Sequence, residues 1–447
     1  MSTYTQDMTN GNEIRHILRF AIPLLFGNLF QQLYNIVDSV IVGRYLGKNA
    51  IAAVGATGSI TYLFYTLCIG LSIGAGILIS QAFGAKKESE TKKLIANSAY
   101  VLIALGIIIS IISAVLAKPL LILLDTPTGI LNDSVSYMRI ACLGTAAVAA
   151  YNWINSALRS LGDSKTPLIF LVIASVLNVL LDLLMIIVFD MGVMGAALAT
   201  VLAQAISAIG SIVFALFKNR YFSLAGHEAI PDKKLIYLCI KTGVPIALQN
   251  ALISVSMVFL QKTANSFKET VMAAYTVTMR IEQLIQQPFS SLNAAVSTFT
   301  GQNVGAGKTD RVIKGYKNSL KASFIFAGAM LALFLIFSNV IVELFVTDPD
   351  VISIGSNALR VSACFYFFLG MIHVTRGLLN GAGDVSYAFI NGIAEFVGRI
   401  GFAIILSHIT FIGYWAVWGT TCLTWVLTAL MSIFRYRGEK WQSKKLV

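Results

Sequence analysis

Apolar residues fall in twelve blocks, at roughly 17–42, 51–80, 94–117, 134–157, 166–189, 192–217, 236–264, 271–300, 319–345, 355–379, 386–408 and 412–434. A helix needs about 20 mostly apolar residues to cross a ~30 Å hydrocarbon core, so each block reads as one pass. The one long polar interruption, Lys218 to Lys234 (KNRYFSLAGHEAIPDKK), divides the blocks into two sets of six. The pattern predicts an all-α integral membrane protein with twelve transmembrane helices in two pseudo-symmetric six-helix bundles around a central cavity. The expected organisation is a first lobe over 1–217, a cytoplasmic linker over 218–234, a second lobe over 235–434 and a basic tail over 435–447.

The first block breaks its own pattern. Within Phe20–Gly47 it carries Asn28, Gln31, Gln32, Asn35, Asp38 and Ser39. At roughly 100° per residue these six fall within an arc of about 120°. One helix thus shows lipid-compatible residues on most of its circumference and a wet stripe on the rest. Asp38 stands out, because a carboxylate at membrane depth is costly and usually functional. The competing reading is a hydrogen bond to a neighbouring helix.

Composition agrees with the pattern: 57% of the 447 residues are hydrophobic and 12% charged, against about 25% charged in soluble domains. No cleavable signal peptide is expected, since the first apolar run is too long and lacks a small-residue cleavage site. The five cysteines, Cys68, Cys142, Cys239, Cys364 and Cys422, form no CxxC pair and read as small core residues. The net charge of +12 is mostly topogenic. Of 33 Lys and Arg, 24 (Arg376 among them) fall on the side of the N-terminus, five on the other side and four, Arg139, Arg280, Arg360 and Arg399, within passes. That bias places both termini in the cytoplasm and leaves no nucleic-acid footprint to explain.

The two sets of six repeat one another. Gln81 and FGAKK at 83–87 match Gln302 and Val304–Lys308 at a shift of 221. At the same shift Gly162-Asp163 matches Gly383-Asp384, Arg139 matches Arg360 and Gly192 matches Gly413; Pro23 falls on Pro245 at 222. One register held over nearly half the chain indicates duplication. Units of six passes enter from the same side, so their axis lies along the membrane normal, a transporter arrangement. Pro23, Pro245 and Pro288 inside passes can bend their helices, and Gly70, Gly74 and Gly76 allow close helix approach.

Depth then groups residues that lie far apart in sequence. Asn178 and Asp182 share one face of the fifth pass, and the sixth contains Thr200. Asp38, Asp182 and Thr200 all fall roughly 7–12 Å below the outer surface. Two carboxylates, an amide carbonyl and a hydroxyl make an oxygen-rich cup that suits Na⁺ or a pair of titrating acids. In the second half Asn178 becomes Arg399 and Asp182 becomes Ala403, so the cup belongs to the first half alone. The second half has its own charges, Arg280, Glu282, Glu395 and Arg399, expected to neutralise one another as ion pairs. The rival role for Glu282 or Glu395 is contact with a cationic substrate. Candidate substrate-cavity residues are Gln31, Gln32, Tyr34, Asn35, Asn152, Met257, Glu282, Gln283 and Gln286.

The chain resembles the MATE (multidrug and toxic compound extrusion) family over nearly its whole length. FAIPLLFGNLFQQLYNIVDSVIVGRYLG resembles the family's first-helix signature; SQAFGAKK, SALRSLGDSKTP and GQNVGAGK resemble its cytoplasmic-loop signatures. The resemblance implies an exporter of amphipathic, often cationic, organic compounds driven by inward H⁺ or Na⁺ flow. It also implies that Asp38, Asn178, Asp182 and Thr200 form the first-lobe cation site. The seventh and tenth passes lack the acidic coupling residues of NorM-like members, so the chain looks closer to the DinF-like branch. Expected alongside are a bacterial inner (plasma) membrane location, a small-molecule substrate, a monomeric state and no cofactor beyond the coupling ion. The alternative cargo is a lipid-linked precursor, which would make the protein a flippase. An enzyme is not expected: His16, His227, His373 and His408 form no paired ligand set, and His373 reads as a helix-end residue. GQNVGAGKT fails the P-loop spacing, so ATP-driven pumping is not expected either.

Overall fold

The computed structural model describes residues 4–446, and among these all regular structure is helical. Fourteen α-helices follow one another: α1 Glu13–Leu46, α2 Lys48–Gly84, α3 Glu88–Leu123, α4 Thr128–Leu143, α5 Thr145–Ser160, α6 Lys165–Leu183, α7 Gly192–Lys218, α8 Lys233–Asn265, α9 Glu269–Gly305, α10 Thr309–Glu343, α11 Pro349–Cys364, α12 Tyr366–Ala382, α13 Val385–Ser407 and α14 Ala416–Arg437. With α4–α5 and α11–α12 each counted as one broken pass, these are the twelve passes read from the sequence. Eight helices are long and apolar enough to cross a membrane by themselves, and the α11–α12 pair, bent by 50°, makes a ninth. Of the other three passes, α1 and α9 carry polar residues along their length, and α4 and α5 are 16 residues each, too short to cross alone.

The repeat extends to the backbone. Left-handed φ angles recur at the 221 shift, with Lys86 at 58° and Gly307 at 71°, Gly162 at 86° and Gly383 at 92°, and Gly192 at 58° and Gly413 at 55°. Glycine reaches this region without a Cβ clash, so the loops keep their shape in both copies. The breaks recur too, at Gly144 between α4 and α5 and at Phe365 between α11 and α12. Neither break is at a proline. Helices α1, α8 and α9 run uninterrupted through Pro23, Pro245 and Pro288.

The chain divides into two compact units. One contains Ile22–Ala247 and a short N-terminal piece ending at Asp7; the other contains Met8–Ala21 and Leu248–Leu446. The chain therefore passes from one unit to the other inside α1, beside Pro23, and inside α8, beside Pro245. In the first unit, Gly70 and Gly74 of α2 press against the backbone of Ala247 and Gly243 of α8, leaving no room for a Cβ. A cluster of Ile41, Val42, Ala50, Ile186, Val193 and Ala196 ties α1 to α2, α7 and the turn after α6. In the second unit, Phe289, Phe334, Tyr366, Leu369 and Trp425 form the centre of a core shared by α9, α10, α12 and α14. There Arg311 grips the start of the chain, donating to the carbonyls of Met8, Asn10 and Gly11 and pairing with Glu13 at 3.0 Å.

Four of the five cysteines are buried as expected; Cys364 is exposed at the α11–α12 break. His373 is not a helix-end residue. It lies within α12 with its ring stacked on Phe289 at 6.2 Å. Arg376, counted with the cytoplasmic charges from sequence, also lies within α12, where a buried carboxylate partners it.

Candidate functional site

Helix α6 positions the first-half site. Asn178 and Asp182 are one turn apart on its packed face, 2% and 0% exposed. A single π-helical turn, Leu184–Val188, follows directly. Such turns add a residue to the ladder and re-aim the side chains beside them. Helix α7 brings Thr200 alongside: the Asn178 amide donates to its Oγ1 at 3.2 Å. That bond occupies the amide nitrogen and leaves Asn178 Oδ1 pointing elsewhere.

Asp38 of α1 meets Asp182 across the helix interface, the two carboxyl groups within hydrogen-bonding reach of each other. Two carboxylate oxygens have no proton to offer one another. Correspondingly, Asp38 Oδ1, both Asp182 oxygens and Asn178 Oδ1 are buried without a donor. Four orphaned acceptors together make one demand. A proton shared by the pair, or a small cation held among the oxygens, would satisfy it. The donor set, all oxygen, fits Na⁺ as well as it fits a proton. Left bare, two charges in a low-dielectric setting would cost several kcal/mol each, on the order expected for buried ions.

A cavity of about 20 Å³ adjoins the pair, lined by Gln31, Tyr34, Tyr151, Ser175, Asn178, Thr200 and Gln204 among others. That is room for one water, by the usual measure of roughly 10–15 Å³. Tyr34 and Tyr137 stand within electrostatic reach of both carboxylates. Sequence reasoning missed Tyr137, Tyr151, Ser175 and Gln204. Gln204 and Ser175 left a trace, one turn after Thr200 and one turn before Asn178 on the same faces.

The other candidates scatter. Gln32 and Asn35 stay on the stripe of α1, where Asn35 accepts from Ser39 at 2.9 Å. Asn152 turns its amide back to the Val148 carbonyl of its own helix, 2.8 Å away. Met257, Glu282, Gln283 and Gln286 belong to the second unit, on α8 and α9.

The expected charge pairing in the second half holds for one pair and fails for the other. Glu395 accepts from Arg399 at 3.0 Å and from Arg376 at 3.0 Å, while Arg399 also donates to Ser256. Arg280 and Glu282 form no ion pair. They are two residues apart on a helix, hence on different faces: Arg280 is exposed, whereas Glu282 points inward toward Ser362 with Oε1 buried.

Comparison with known proteins places this geometry. The MatE family model matches residues 23–184 and again 245–405, once per repeat. The chain is 28% identical over 452 residues to the probable multidrug resistance protein YoeA of Bacillus subtilis, covering 99% of this chain and 97% of YoeA. It is 26% identical over 385 residues to the multidrug export protein MepA of Staphylococcus aureus, covering 85% of this chain and 84% of MepA. Among solved structures, a MOP superfamily transporter from Pyrococcus furiosus superimposes with a TM-score of 0.91 over 100% of both chains at 24% identity, a shared fold. With its family model matched twice in register and its fold shared from end to end, the chain belongs to the MatE, or multidrug and toxic compound extrusion, family of membrane transporters.

Proposed function

We propose that the protein is a secondary exporter of amphipathic organic compounds, in which Asp38 and Asp182 exchange an inward-moving H⁺ or Na⁺ for outward-moving cargo. The observation that carries this reading is the facing pair of buried carboxyl groups with four oxygens lacking donors. A site of that kind is stable only when a positive particle occupies it, so its occupancy differs in free energy between conformations. An ion shifts a conformational equilibrium by its differential affinity and by nothing else. Coupling of about 3 kcal/mol would bias transport roughly a hundredfold.

Helix α1 is the element that can transmit the change. It carries Asp38 in one compact unit, and its first turns, up to Ala21, belong to the other. Pro23 lies at that crossing, where it removes a backbone hydrogen bond and softens the helix. Loading the carboxylate pair releases α1 from α6, and the transporter alternates between states open to the two sides. Both termini face the cytoplasm of a bacterial cell, and one copy of the chain suffices.

The test uses the full chain in vesicles, with a pH gradient and a Na⁺ gradient imposed separately and a fluorescent organic cation as cargo. Export driven by one gradient, and abolished in Asp38→Asn with the protein still inserted, is the expected result. Export at normal level in that variant would sink the coupling role. Movement of a lipid-linked precursor instead of the cation would identify a flippase.

A further inference from the structure

Helix α9 shows a different surface from other helices of its unit. In the middle stretches of α8, α10 and α13 the large exposed side chains, such as Leu248, Val258, Ile325, Ile336 and Val397, are apolar, as contact with hydrocarbon requires, and the exposed lysines lie toward the helix ends. Beside the apolar Met272 and Leu284, the exposed positions of α9 include the polar Thr276, Arg280, Gln283 and Ser290, with Gln287 half-buried between them. At 100° per residue those five polar positions fall within about 80° of arc. They form one polar stripe running down the helix.

Arg280 sits on this stripe about 16 Å along α9 from its outer end at Glu269. A guanidinium facing lipid at the bilayer centre is costly on every scale, and the polar neighbours above and below it make no sense against lipid. The stripe therefore faces water. Arg280 has no hydrogen-bond or ion-pair partner among the described residues. The two carboxylates that lie mid-helix in its unit are unavailable. Glu282 is turned into the helix packing toward Ser362, and Glu395 is held between Arg376 and Arg399. Four arginines, Arg280, Arg360, Arg376 and Arg399, thus stand against two carboxylates, Glu282 and Glu395, within the passes of the second unit, and Arg360 is held by the side-chain oxygens of Asn357 and Asn339. The arginine left over is the one on the wet face.

We infer that Arg280 receives a carboxylate on the transported compound, so that the preferred cargo is an amphipath bearing an anionic oxygen group rather than a plain organic cation. A guanidinium presents a planar fork that matches a carboxylate through two parallel hydrogen bonds. Gln283, one turn further down the same stripe, offers an amide donor beside it, and Gln287 donates to the Gln283 carbonyl at 2.9 Å. The inference rests on the reading of the protein as an exporter of organic amphipaths and narrows the chemical class.

The test compares ε-dansyl-lysine, which carries an amine and a free carboxylate, with its methyl ester, which keeps the amine alone. Both are titrated by dansyl fluorescence against the full chain in lipid nanodiscs. The wild type is expected to bind the free acid about tenfold more tightly than the ester, the size of one charge-assisted hydrogen bond. Arg280→Gln should weaken the acid about tenfold and leave the ester unchanged, and Arg280→Lys should keep part of the preference. Equal affinity for the two compounds in the wild type, binding of neither, a preference that survives Arg280→Gln, or loss of both ligands in that variant would each overturn the assignment. Gradient-driven efflux of the ester is measured in parallel. Binding with the expected preference but no efflux rejects the exporter reading alone; efflux without preference rejects the carboxylate receptor alone.

Discussion

Helices α6 and α13 occupy the same place in the two repeats, yet one face of each has been given opposite work. At the 221 shift Ala174, Asn178 and Asp182 of α6 stand where Glu395, Arg399 and Ala403 stand on α13. In α13 the carboxylate and guanidinium are one turn apart and satisfy each other, with Arg376 closing the second side of Glu395. In α6 the acid meets another acid, Asp38, with no counter-charge beside it, and a small cavity lies against Asn178 one turn away. The wide turn Leu184–Val188 follows Asp182, whereas α13 continues as plain α-helix through Ala403 to Ser407. A paired charge network resists rearrangement; an unpaired one invites an ion. Duplication supplied two equal frames, and a few side chains made one of them cohesive and the other responsive.

The largest expected effect comes from moving the second half's chemistry into the first. Asn178→Arg would place a permanent guanidinium one turn from Asp182 and so occupy the site. Export driven by either gradient should fall on the order of a hundredfold, the scale of a lost coupling free energy, while thermal stability in detergent is kept or rises. Coupled export persisting in that variant would show that the acid pair is not the responsive element.

The converse change should damage stability before activity. Glu395→Gln leaves Arg376 and Arg399 without a carboxylate, and breaking a buried pair by removing one partner costs about 3–5 kcal/mol. Denaturant unfolding monitored by tryptophan fluorescence would read this. A change below ~1 kcal/mol would mean that the second-half network is also wet and adaptable.

A smaller difference lies on α2 and α9, where Gly74 has Ala295 as its counterpart. A methyl at Gly74 would meet the backbone of Gly243. Gly74→Ala should therefore cost about 1–3 kcal/mol through overpacking. Gly55→Ala, on the same helix with open space around it, should be neutral or gain up to roughly 1 kcal/mol. Equal effects at both positions would remove close packing as the explanation.

The mildest test concerns the segments that lead into the two repeats. Arg311 holds the one before α1 through backbone carbonyls. Glu228 holds the one before α8 by accepting from the Ala225 N–H at 2.8 Å, with Lys92 at 3.5 Å. That N–H, and secondarily Lys92, keep the Glu228 carboxyl below its ordinary value of 4.5. A carboxyl lowered in the folded state contributes stability above 4.5 and loses it as pH falls through the lower folded value. Exchange protection of the Ala225 amide, corrected for intrinsic rate, should be flat from neutral pH down to about that point and drop below it. Glu228→Gln should reduce protection at neutral pH.

Much of this was legible in one dimension. Bilayer thickness dictates span length, so twelve passes could be counted even where polar residues interrupt α1 and α9 and where α4–α5 is broken into two short helices. The repeat register placed Pro23 over Pro245 and exposed the loss of Asp182 at Ala403. Depth along a helix is fixed at 1.5 Å per residue, which put Asp38, Asp182 and Thr200 on one level before any contact was known.

What the tertiary structure decided is which faces meet. That α1 turns Asp38 toward Asp182, that Arg376 reaches Glu395, and that Glu282 is buried while Arg280 lies open all depend on helix rotation and partner choice. The breaks at Gly144 and Phe365 likewise carry no proline or polar run to mark them, and the prolines beside the crossings in α1 and α8 do not by themselves say that the chain changes unit there. Periodicity is a property of a single helix and survives in the sequence. Pairing across helices depends on the packing of residues hundreds of positions apart, and only the folded chain holds that information.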